Sequence, residues 1–241
     1  MKPRVLAVIT ARSGSKGLTD KNIRNFAGEP LLARPILTAK QCSWIDRIVL
    51  STDSEKYAAL GQRYGAEVPF LRPAELASDT ASSVDVLIDL LDRLAADGEH
   101  YQYLLLLEPT SPLTEASDLD KAMELLLENG NAKSIMAVRE VLTEHPAFCV
   151  KLSSDNYMIP LGEQDFSKPL RRQDLTPVFC FAGSFYLSTT EALRQYGRFY
   201  HPYALGYTMQ SWKTQEIDDL ADFICAEALY QHRDLLKGEL D

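Results

Sequence analysis

Short apolar runs alternate with amphipathic stretches along the first 140 residues, and the two periods predict different elements. Val5 to Thr10 is a near-continuous apolar run of strand length, and Arg47 to Thr52 and Tyr103 to Leu107 repeat the pattern. Between them, Leu31 to Cys42 and Ser54 to Tyr64 carry apolar residues at helical spacing, with Gly65 positioned to end the second helix. Ser82 to Ala96 sets Val84, Leu87, Ile88, Leu91, Leu94 and Ala95 on one helical stripe, and Gly98 follows it. Asp118 to Leu127 reads as a further helix and Ser134 to Val138 as a further strand. Strand and helix in regular succession predict an α/β fold with a doubly wound, mainly parallel sheet and right-handed crossovers. Ligands of such a sheet sit at the carboxyl ends of its strands.

The alternation fails between about Glu140 and Pro177, where His145-Pro146, β-like Phe148 to Leu152, a Ser-Ser-Asp-Asn turn at 153 to 156, Pro160 and Pro169 follow one another. Residues 141–177 are therefore expected to form an inserted segment, with 1–140 and 178–241 as the core. Ser184 to Leu187 returns to strand character. Asp218 to His232 reads as a closing helix, with Leu220, Phe223 and Ile224 expected to face the sheet.

Composition narrows the classes of function. The 241 residues are 46% hydrophobic and 24% charged, ordinary proportions for a chain with a full core. No apolar run approaches the roughly 18 residues of a membrane span, and the run after Met-Lys-Pro-Arg is too short for a secretory segment, so a cytoplasmic protein is expected. Cys42, Cys149, Cys180 and Cys225 are widely separated, with no spacing suited to zinc or to a disulfide framework. A formal net charge of −9 argues against general nucleic-acid affinity. A polyanionic ligand would need local positive charge.

"AVITARSGSKGLTDKN", residues 7 to 22, supplies it. Arg12, Lys16 and Lys21 follow the first strand on a loop whose Gly14 and Gly17 let backbone N–H groups approach a ligand, an arrangement suited to phosphates. The spacing is neither that of the Walker loop nor that of the dinucleotide fingerprint. Four later segments also carry chemistry: "LRPAELASDTASS" with Arg72, Ser82 and Ser83; "LLLLEPTSPL" with Glu108; "KPLRRQDLTP" with Lys168, Arg171, Arg172 and Gln173; and "QEIDDLADF" with Glu216 and Asp218. Each alone also has a structural reading: serine caps, a solvated strand end, an exposed basic face, acids complementing a helix dipole. His100, His145, His201 and His232 fall outside these motifs and are expected on the surface or in packing roles.

In this order the motifs resemble those of the acylneuraminate cytidylyltransferases, from Val5 to about Phe223. The resemblance implies a nucleotide-diphospho-sugar-transferase-like fold and a homodimer in which the inserted segment crosses toward its partner. It also implies the reaction of CTP with an acidic nine-carbon 2-keto sugar to give CMP-sugar and pyrophosphate, with Mg²⁺. Carried over by position, Ala11, Arg12, Ser15, Lys16, Lys21 and Asn22 match the triphosphate-gripping motif, with Arg12 and Lys21 as catalytic cations. Arg72, Ser82 and Ser83 match contacts to base and ribose, and Glu108 a position beside the sugar. Asp218 matches a catalytic, magnesium-binding aspartate, and Glu216 stands where sialate enzymes tend to have a second aspartate.

The late motif departs from that pattern. Where sialate enzymes typically read F-R-P-N-G-A, this chain has "FCFAGSFY" at 179 to 186, with Cys180 for the arginine and Ala182 for the asparagine. Without that cation and amide the usual contacts to N-acetylneuraminate are lost, so a different acidic keto-sugar, such as legionaminic or pseudaminic acid, is expected. Lys168, Arg171 or Arg172 would then hold its carboxylate, with Gln173 nearby. Another nucleotide or sugar, or a nucleotide-binding protein without catalysis, remain the alternatives.

Overall fold

The computed structural model describes residues 2–14, 17–78, 81–161 and 171–238, without the side chain of Arg172. In chain order the elements are β1 (Val5–Thr10), a small hairpin of β2 (Asn25–Phe26) and β3 (Glu29–Pro30), α1 (Ala33–Gln41), β4 (Arg47–Ser51) and α2 (Glu55–Tyr64). Then come α3 (Ser83–Ala96), β5 (Tyr103–Leu107), α4 (Ala116–Glu128), β6 (Ser134–Glu140) and a second hairpin of β7 (Val150–Leu152) and β8 (Met158–Pro160). The chain closes with β9 (Phe179–Thr189), α5 (Thr190–Tyr196), β10 (Ala204–Thr208), α6 (Leu220–Gln231) and α7 (Arg233–Gly238).

The central sheet has the order β10-β6-β9-β5-β1-β4. β1 pairs in parallel with β4 and β5, and β6 with β10, whereas β9 is antiparallel to both β5 and β6. All strands but β9 thus point the same way, and the loops after β1, β4 and β5 gather at one edge. Alternation along β1 builds two core layers. Val5, Ala7 and Ile9 join Ile36 of α1 and Leu119 and Met123 of α4. Leu6 and Val8 join Leu87, Leu90 and Leu94 of α3 on the opposite face. Local signals set the helix ends: Ser54 Oγ accepts from Tyr57 N–H, Ser82 Oγ from Val84 N–H, and Gly65 closes α2 at φ 103°.

Several expectations need correction. On α3 the buried stripe is Val86, Leu87, Leu90, Leu91 and Leu94, with Ile88 and Ala95 at its margins. α6 packs not on the central sheet but on Phe26 and Leu31, through Phe223 and Ala226. Its helical step then leaves Leu220 and Ile224 exposed. The strand expected at Ser184 to Leu187 lies within the longer β9. β9 is interrupted where the register against β6 passes from Met136–Tyr186 to Val138–Phe181, so residues 182 to 185 bulge past Ala137. α5, β10 and the β2–β3 hairpin carry no strong periodic signal. The Ser153-to-Asn156 stretch does turn, joining β7 to β8 with Asn156 at φ 64°.

All four cysteines are free. His201 is buried and bonded to Ser134 Oγ, a packing role. Among the described residues no helix is long and apolar enough to cross a membrane.

Candidate active site

β1 delivers the chain to the gathered edge at Thr10, and the loop that follows is tied down on both sides. Ala11, buried and without a functional side chain, donates its N–H to the Ser51 carbonyl at the end of β4. Asp53 accepts from the Ser13 N–H at 2.8 Å and from Ser13 Oγ at 2.6 Å. Burial acts to raise the Asp53 carboxyl, but the two Ser13 bonds, its own backbone N–H and the charge of Arg72 together hold the group below the usual range. Asn22, also buried, donates from Nδ2 to the Arg12 carbonyl at 3.1 Å.

The same loop then meets the segment before α6. A Cβ on Gly17 would lie 2.6 Å from the Asp218 carbonyl oxygen, so only glycine permits this approach. Lys21 Nζ donates to the Ile217 carbonyl at 2.6 Å and stands 3.9 Å from Asp218 Oδ1. Ile217 N–H in turn donates to the Thr110 carbonyl at 2.9 Å, joining this segment to the turn after β5.

Arg72 closes another side. Its backbone N–H donates to Thr52 O, and its guanidinium to Ser51 Oγ and Ser51 O at 3.1 and 2.6 Å. Burial lowers its pKa, Asp53 opposes that, and Arg12 adds like-charge repulsion. At the end of β5, Glu108 is pushed up to about 7, chiefly by burial and then by Glu216 and Asp218, against the pull of Lys21. Tyr186 is pushed up to about 12 by burial and the charges of Glu108 and Glu216. Glu216 Oε1 accepts from the Gly183 N–H at 2.6 Å, inside the β9 bulge.

Of these groups, Arg12, Gly17, Lys21, Asn22, Arg72, Glu108, Thr110 and Asp218 line a cavity of about 490 Å³ at the sheet's carboxyl edge, in the size range of small-ligand sites. Its wall carries the cations Arg12, Lys21 and Arg72, the amide Asn22, and the acids Glu108 and Asp218. Ser83 lines it as well, at the first turn of α3. Other expected residues are not in its wall. Ser82 uses its hydroxyl as the α3 cap, Ala11 lies beneath the loop, and Glu216 is bonded to Gly183. Arg171 pairs with Asp174 on an exposed 3-10 turn that also carries Gln173, and the structure does not bring either into the cavity. Ser15, Lys16, Lys168 and the Arg172 side chain lie outside the described residues. Cys180 stands opposite Arg139 in the β6 register, and the Ala182 side chain is buried in the core.

Asp53 and Gly183 are site-building residues that sequence reasoning missed. Asp53, a carboxylate just past the end of β4, was open to inference from the sheet pattern. Gly183 was not, because its partner arrives from a distant segment.

A family model described as cytidylyltransferase matches residues 6–240. The CMP-N,N'-diacetyllegionaminic acid synthase of Legionella pneumophila is 36% identical over 203 residues, covering 82% of this chain and 83% of that protein. The pseudaminic acid cytidylyltransferase of Campylobacter jejuni (serotype O:23/36, strain 81-176) is 31% identical over 226 residues, covering 94% and 96%. Among solved structures, a CMP:2-keto-3-deoxy-manno-octonic acid synthetase complexed with CTP superposes with a TM-score of 0.71 at 14% identity, covering 95% of this chain and 99% of that one. That likeness concerns the fold.

Proposed function

We propose that this chain, which belongs to the cytidylyltransferase family, transfers the cytidylyl group of CTP to an acidic nine-carbon keto-sugar of the nonulosonate class and releases pyrophosphate. The observation that carries this reading is the meeting of Lys21, Arg12 and Arg72 with Asp218 and Glu108 in one cavity. Relatives named for legionaminic and pseudaminic acid support the sugar class.

The chemistry follows from charge. A sugar hydroxyl attacks the α-phosphorus, a P–O bond to it forms, and the bond to the pyrophosphate oxygen breaks. No covalent nucleophile is needed, so alignment and stabilisation of negative charge are the protein's tasks. Lys21, mostly buried and held by the Ile217 carbonyl, is a fixed cation for the reacting phosphate. Glu108, with its carboxyl near neutrality, is suited to exchange the hydroxyl proton at its Oε atoms.

A magnesium ion fits the donors present. Mg²⁺ uses one or two carboxylates and takes its other ligands from phosphates and water, so the absence of a three-residue metal cluster among the described residues is compatible with it. Asp218 would hold it with a largely exposed carboxylate, and Glu216 only through the oxygen not bonded to Gly183. Bound there, the metal would neutralise triphosphate charge and lower the pKa of the attacking hydroxyl.

The same proposal includes a cytoplasmic homodimer. Exposed Leu152, Met158 and Ile159 on the β7–β8 hairpin support pairing through residues 141–177, and sedimentation tests it. Activity is tested by pyrophosphate release over four nucleotides crossed with a panel of acidic keto-sugars. Release should require CTP, Mg²⁺ and a nonulosonate together; turnover confined to UTP and a neutral sugar phosphate would refute the reading.

A further inference from the structure

A second cavity, of about 320 Å³, is lined in part by the same turn that follows β5. Pro109 and Thr110 line the first cavity, while Pro112, Leu113 and Thr114 of the same turn line the second. Arg34 of α1 and Arg233 of α7 also line it, with guanidinium centres 4.1 and 4.3 Å from the Tyr230 ring centroid. A guanidinium over an aromatic ring keeps its charge and its N–H donors for a further partner.

Local acids do not neutralise them. Glu115, the acid among the described lining residues, is bonded to Lys213 at 2.7 Å and to Lys237, and neighbouring Asp118 also binds Lys213 at 3.0 Å. Neither arginine forms an ion pair among the described residues. Among the described residues Arg233 donates to the Tyr230 carbonyl, and the Arg34 Nε–H is buried with no hydrogen-bond partner. A stacking role alone leaves that buried donor unexplained.

We propose that this second cavity binds a small phosphorylated molecule, its phosphate oxygens received by Arg34 and Arg233 and its remainder lying against Trp212. Paired guanidinium forks suit the several oxygens of a phosphate. The proposal does not depend on the substrate assigned to the first cavity.

The two tryptophans allow a local test. Replacing Trp44, which is partly buried against the core, by Phe leaves Trp212 as the sole tryptophan, in the second cavity. Inorganic pyrophosphate titrated into Trp44→Phe should change Trp212 emission saturably, and the response should persist when Lys21→Ala is added. Adding Arg34→Gln and Arg233→Gln should weaken it by about tenfold or more. Should that variant lose its thermal transition, Arg34→Lys with Arg233→Lys, which keeps the charge but not the fork, should still weaken binding. A silent Trp212, a response indifferent to the arginines or lost with Lys21→Ala, or tighter binding of malonate than of pyrophosphate would overturn the proposal.

Discussion

Lys21 Nζ stands 3.9 Å from Asp218 Oδ1 while donating a 2.6 Å hydrogen bond to the Ile217 carbonyl, so one ammonium joins the first loop of the chain to the last. The lysine side chain is 13% exposed and the aspartate 89%. The cation is thus fixed and poorly screened, whereas the carboxylate keeps lone pairs free for a second partner. That asymmetry suits a site in which the protein holds one charge and shares the other with a ligand.

Lys21→Ala should lower kcat by about 10²–10³-fold, the loss found when a fixed donor to developing charge is removed. Pyrophosphate release under saturating substrates measures it. A fall confined to KM would show that Lys21 only helps to bind substrate.

Asp218 and Glu216 should separate in magnesium dependence. Asp218→Asn should raise the Mg²⁺ concentration for half-maximal rate by about tenfold or more, while Glu216→Gln, which loosens the Gly183 bond, should mainly lower Tm. Equal shifts in magnesium requirement would make both residues equivalent ligands.

Gly17→Ala should destabilise the fold by about 1–3 kcal/mol, because its methyl would overlap the Asp218 backbone. Gly130→Ala, with nothing within 4 Å of the added atom, is the control. Urea unfolding of the two variants checks the difference.

Glu108 makes stability depend on pH in a definite direction. Its folded pKa, about 7, lies above the 4.5 of an ordinary glutamate, so between those values the folded state holds a proton that the unfolded state has released. Stability from this group therefore falls as pH rises through that window. Glu108→Gln removes the dependence, and its Tm relative to the unsubstituted protein should climb from pH 4.5 to 7 and then level off. A constant difference across that range would contradict the buried, mutually repelling acids inferred here.

Much of this arrangement was legible in the sequence because it rests on local signals. Period and caps marked the helices from Ala33 to Glu128, and Arg12, Lys21 and Arg72 followed strands whose ends the apolar runs defined. What escaped depends on contacts between distant segments. β9 reverses direction and bulges at Ala182 to Phe185, which no periodicity announces. α6 turns Phe223 toward Phe26 because the β2–β3 hairpin lies there, leaving Leu220 and Ile224 outside. The motif at Arg171 to Gln173 read as part of the site, yet Arg171 is paired with its neighbour Asp174 on an exposed turn.

The most direct measurement is a structure of the protein with CTP and Mg²⁺. The triphosphate should lie between the Lys21 ammonium and the Asp218 carboxylate, with the metal on Asp218 and the base beside Arg72 and Ser83. A triphosphate bound elsewhere, or one in this cavity with Lys21 and Asp218 both turned away from it, would contradict the account.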